Sequence, residues 1–132
     1  MVALGLGGAA TSCSTSTSFQ SELAYPMHKA QTRVLDIQVI RRQTQITMTN
    51  TSAENLPPGR MWVNAEYVRD FDGLGIGQTT TLSLLDFRNE FGETFRAGGF
   101  FATRVPADLV QVQLEDESAM IGLIVVNGRW TR

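Results

Sequence analysis

Arg33-Val34-Leu35-Asp36-Ile37-Gln38-Val39-Ile40, followed after two arginines by Gln43-Thr44-Gln45-Ile46-Thr47-Met48-Thr49, is the stretch on which the fold turns. Leu35, Ile37 and Val39 alternate with Asp36, Gln38 and Ile40, and Ile46 and Met48 alternate with Gln45, Thr47 and Thr49. Successive side chains of a strand point to opposite faces, so a period of two sets one apolar row against a core and leaves the other row outside. Asn50-Thr51-Ser52 stops the pattern, and Leu56-Pro57-Pro58-Gly59 makes a rigid turn, because proline fixes φ and glycine accepts a positive φ. Alternation resumes over 61–68, with Met61, Val63, Ala65 and Tyr67 on one face and Trp62, Asn64, Glu66 and Val68 on the other, which predicts one strand.

Toward the C-terminus, residues 70–73 read as a turn, 80–87 as a β-branched and apolar strand, and 89–93 as a turn around Gly92. Phe95 begins another short strand, Gly98-Gly99 bends the chain, and 100–105 forms a further strand. Residues 108–114 alternate again, Glu115-Asp116-Glu117-Ser118 is an acidic turn, and 119–126 is nearly continuous apolar sequence, the mark of a central strand buried on both faces. On the N-terminal side, Leu23, Tyr25 and Met27 flank Pro26 at a spacing of two, which predicts an edge strand or an extended lead-in. A helical turn competes only over 89–96. Seven or eight short strands separated by turn chemistry predict an all-β domain, an antiparallel β-sandwich, with a small closed barrel as the alternative.

The chain has 132 residues, a net charge of −2 and a charged fraction of 18%, below the roughly 25% of an average domain. This length suits one domain, taken as residues 19–132 behind an N-terminal segment 1–18. Lys29 is the only lysine and no run of basic residues appears, so no nucleic-acid partner is expected. The apolar run 2–10 is far short of the roughly 20 residues of a spanning helix.

Catalytic chemistry finds little to use. Ser/His or Cys/His catalysis needs a placed histidine, and the single one, His28, sits beside Pro26 in the irregular lead-in. One histidine and one cysteine cannot supply a zinc site. Asp70-Phe71-Asp72-Gly73 lacks the later ligands of a calcium loop and reads as a turn. Gly73-Leu74-Gly75-Ile76-Gly77 leads into a strand where a phosphate loop would open a helix, and reads as a connection. No catalytic residue, metal or cofactor is therefore expected; an enzyme working through carboxylates such as Asp70 and Asp86 is the remote third reading. Trp62, Tyr67, Phe100, Phe101 and Trp130 are the candidates for an interaction surface, since aromatics are enriched at binding hot spots, with core packing as the competing explanation.

Cys13 follows the small and apolar run 2–12 and precedes the Ser/Thr tract 14–18. The arrangement resembles the end of a bacterial lipoprotein signal peptide, although no Lys or Arg precedes the cysteine. It implies an acylated Cys13, a flexible tether and a body outside the cytoplasm; an idle thiol is the alternative. The strings Ile46-Thr47-Met48-Thr49-Asn50-Thr51-Ser52, Trp62-Val63-Asn64-Ala65-Glu66-Tyr67 and Asp72-Gly73 resemble small immunoglobulin-like domains of bacterial envelope lipoproteins over about residues 35–114. That resemblance implies a binding or scaffold module. The expected function is a non-enzymatic, membrane-tethered or membrane-peripheral accessory protein on the extracytoplasmic face that packs on other proteins, an integral membrane complex among the candidate partners. A soluble extracytoplasmic glycan- or peptide-binding module using Trp62 and Tyr67 is the alternative.

Overall fold

A computed structural model describes residues 23–100 and 102–130. Among these, seven strands form one sheet: β1 (Gln31–Arg42), β2 (Gln45–Thr49), β3 (Gly59–Val63), β4 (Tyr67–Phe71), β5 (Thr79–Ser83), β6 (Val112–Glu115) and β7 (Met120–Val126). Their order across the sheet is β4-β3-β6-β7-β1-β2-β5. The nearly continuous apolar run thus takes the central place predicted for it.

The all-β class and the strand number agree with the sequence. The pairing is mixed, however: β1 and β7 run parallel while the other neighbours are antiparallel. One sheet curls on itself, and two separate antiparallel layers are not seen. After β5, a 3₁₀ turn (Leu84–Asp86) returns the chain to the opposite edge, where Arg88 bridges Val68 of β4. The interior so enclosed holds Leu35, Ile37 and Val39 of β1, Ile46 and Met48 of β2, Met61 and Val63 of β3, and Leu84, Phe87 and Phe95. Burying such side chains contributes roughly 1.5–3 kcal/mol each before entropy is counted.

Three local readings are corrected. The strand predicted over 61–68 is a hairpin, β3 and β4 joined by Asn64-Ala65-Glu66, in which Asn64 (φ 53°) and Ala65 (φ 55°) are left-handed and Glu66 N–H donates to Val63 O at 3.1 Å. The three-residue link leaves the apolar alternation unbroken, so periodicity passes straight through the turn. The strand predicted over 80–87 stops at Ser83, whose hydroxyl accepts from Leu85 N–H and caps the 3₁₀ turn. No strand forms at Phe95 or over the described part of 100–105, because Gly98 (φ +90°) and Gly99 (φ +114°) turn the backbone out of the extended region. The lead-in from residue 23 to residue 30 is irregular and lies across the outer face of the sheet.

Candidate functional site

The inward row of β1 runs Leu35, Ile37, Val39 and then Arg41, a cation in an apolar position. Only 4% of Arg41 is exposed. Its guanidinium donates to four backbone carbonyls, Gln43 O (2.9 Å), Ala97 O (3.0 Å), Ala107 O (2.5 Å) and Gly128 O (3.0 Å). The Phe95 and Trp130 rings lie 5.8 and 5.7 Å from it, within cation–π range. Burial lowers the pKa of Arg41 from its ordinary value, and the nearby charge of Asp108 acts the other way. The five N–H donors of a planar guanidinium suit it to gather carbonyls from separate segments.

What Arg41 gathers is the neck of a loop. Ala107 N–H donates to Arg96 O at 2.7 Å, which brings the two ends of the intervening segment together in the manner of an Ω neck. Trp130 seals the neck: a Cβ on Gly98 would fall 2.7 Å from its ring, so the indole packs directly on the glycine backbone. Beyond the neck, Phe100 is 94% exposed and Val105 79% exposed. Arg42 and Arg129 border the adjoining cleft of about 660 Å³, whose other lining residues are Ile40, Arg41, Asn127 and Gly128. Gln43, Gly99, Phe100 and Trp130 border a second cleft of about 460 Å³.

A second cluster lies on the outer face of the sheet. Trp62 is fully buried, its ring edge-to-face with Tyr25 at 5.3 Å and its Nε1 donating to Glu115 Oε1 at 2.8 Å. Glu115 also receives Lys29 Nζ at 2.7 Å and Arg60 at 3.0 Å. Tyr25 hydroxyl donates to Gln113, which in turn donates to Gln31. Burial opposes the charge on Glu115, but the bonds from Lys29 and Trp62 and the positive charges of Arg60 and Lys29 outweigh it and hold the carboxyl below its usual range. These contacts fasten the lead-in to the sheet.

The sequence candidates therefore separate. Trp62 belongs to packed structure and offers no ring face to a sugar or peptide, which is a correction to its place on an expected surface. Tyr67 is half-buried, edge-to-face with Phe95 at 5.3 Å, and burial pushes its hydroxyl pKa up, with Glu66 acting in the same direction. Phe100 and Trp130 come together at the clamped loop. Phe101 and Cys13 lie outside the described residues. Sequence reasoning missed Arg41, whose signal was its parity with Leu35, Ile37 and Val39.

In the glycine loop 73–77, Leu74 N–H donates to Leu56 O, Gly75 to Gln78 Oε1, Ile76 to Asn55 Oδ1 and Gly77 to Asn50 O. Those donors are not aimed at a phosphate. Among the described residues no three His, Cys, Asp or Glu converge in a way that suits a metal, and no helix is long and apolar enough to cross a membrane. No family model matches the chain, and no curated protein or solved structure matches it.

Proposed function

We propose that this chain is a non-enzymatic accessory protein held at the extracytoplasmic face of a bacterial membrane, tethered through Cys13 or resting peripherally, and packing on other proteins of a larger membrane assembly. The observation that carries the membrane-peripheral part of the proposal is the clamped loop. A buried arginine, four carbonyl bonds and a tryptophan seal fix its neck, while Phe100 and Val105 project from a rigid β body. Holding apolar side chains in water is unfavourable, and a loop so firmly based suits contact with another surface. As part of the same reading, the body is a variant of the immunoglobulin-like envelope module. Seven strands around one apolar interior support this, and the parallel β1–β7 pair departs from it.

The test is fractionation of cells making the full chain or its Cys13→Ser variant, with radiolabelled palmitate. The proposal expects label in the wild type only, and a membrane fraction that migrates above monomer size after mild detergent extraction. Label persisting in Cys13→Ser removes the anchor. An unlabelled monomer in the soluble fraction removes the whole reading.

A further inference from the structure

We infer that the clamped loop end of the molecule is the face that meets the membrane, and that its occupant is an anionic lipid bilayer surface. The inference rests on the membrane-peripheral reading above and names its contact face; it does not require acylation of Cys13.

Three segments distant in sequence meet at Arg41, through the carbonyls of Gln43, of Ala97 and Ala107, and of Gly128. They carry Arg42, Arg104 and Arg129, all exposed, against one carboxylate at the same end, the exposed Asp108 that follows the clamped Ala107. The nearest carboxylate along the chain is Asp108, whose Oδ1 faces Trp130 N–H at 3.4 Å. Arg42 and Arg129 line one cleft beside the clamp, so the three arginines outnumber the single carboxylate Asp108 at this end. Opposite an anionic surface such a distribution turns this end inward.

The shape of the apolar surface favours a bilayer over a folded partner. A protein interface of ordinary stability buries about 800 Å² per side and needs a complementary pocket for its anchors. Here the apolar groups are Phe100 and Val105 on a protruding loop, with the edge of Trp130 at its base. A bilayer interface accepts a protruding side chain without a matching pocket, and aromatic rings favour its headgroup level. Arginines around such a tip lie where phosphate groups would be. The Arg41 clamp fixes the base of the loop, which lowers the entropy that contact would cost there.

The experiment uses the full chain as Cys13→Ser, which removes any acyl contribution, in co-sedimentation with vesicles of phosphatidylcholine alone or containing 30% phosphatidylglycerol. Binding is expected to the anionic vesicles only, and to weaken when the ionic strength rises to about 0.5 M, because screening shortens to a few ångströms. Arg42→Gln with Arg129→Gln should weaken binding about 25-fold, at about fivefold per arginine. Phe100→Ser should weaken it roughly tenfold or more, and its urea midpoint should match the parent because the ring is exposed. Arg33→Gln, at the far end of β1, should bind as the parent does. Equal binding to neutral vesicles, unaltered binding by the arginine pair, or retention of a single-stranded oligonucleotide in place of vesicles would overturn the inference. Palmitate labelling that depends on Cys13 alongside absent vesicle binding would leave the tether standing and remove this contact face alone.

Discussion

Replacing Arg41 by methionine keeps much of the side-chain volume and removes every donor of the clamp. Four carbonyl bonds are lost, at Gln43, Ala97, Ala107 and Gly128. Gly128 O retains the N–H of Leu109 at 2.8 Å, so its loss is the smallest. A buried acceptor left without a donor costs about 1–3 kcal/mol. Against this, burying a thioether avoids the desolvation of a guanidinium, a penalty of several kcal/mol even after relaxation. Taking three carbonyls at the lower part of that range gives a net loss of about 3 kcal/mol. With a urea slope of about 1–1.5 kcal/mol per molar, the midpoint should fall by about 2–3 M. Hydrogen exchange should locate the effect: amides of 96–107 and 127–129 should lose protection before those of β1 and β2, because the neck opens while the sheet persists. Arg41→Lys should recover less than half of the loss, since one ammonium cannot reach four carbonyls spread around a planar fork. A midpoint within 0.5 M of wild type, or exchange rising evenly over the molecule, would refute the assignment of Arg41 as a clamp.

Three further substitutions probe other parts. Ala65→Gly relieves a left-handed residue (φ 55°) in the β3–β4 hairpin, and should raise stability by about 0.5–1 kcal/mol in a urea titration. Gly128→Ala would set a Cβ 1.8 Å from Leu109 O, a clash with backbone that must move the chain, and should cost about 3 kcal/mol or prevent folding. Glu115 has a folded pKa below its unfolded value, so its contribution is complete above the unfolded pKa and is lost as pH falls through the lower folded value. Urea midpoints measured from pH 6 to pH 3 should therefore fall less steeply in Glu115→Gln than in wild type; parallel curves would contradict the Lys29–Glu115–Trp62 linkage.

Strand β1, strand β2 and the central β7 were legible in the sequence because their alternation or continuous apolarity reports burial on one face or two. The hairpin at 64–66 was not, since its three-residue link preserves parity and Asn64-Ala65 lacks the glycine that usually marks a primed turn. The aromatics around Phe95 and Phe100 have strand propensity, but backbone bonds at the Ω neck and two left-handed glycines decide otherwise. Trp62 occupies an outward register position and is buried only because residues 23–30 fold back over it, a contact between segments about 40 residues apart that no local pattern announces. The pairing of Arg42 with Arg129 is equally hidden: they lie far apart in sequence and only the cleft beside Arg41 makes them neighbours.

The parallel pairing of β1 with β7 carries a consequence for biosynthesis. The sheet's two flanks, β4-β3-β6 and β1-β2-β5, are joined through the strand made last of the seven. At a translation rate of roughly 5–20 residues per second, the ribosome finishes β7 on the order of 4–17 s after β1. During that interval the inner edge of β1 has no strand to pair with, and the nascent flanks must avoid mispairing with each other or with other chains. A chaperone that shields extended segments would act in that window, and ribosome stalling placed before residue 120 should leave the β1–β2–β5 flank open to protease while release restores its resistance.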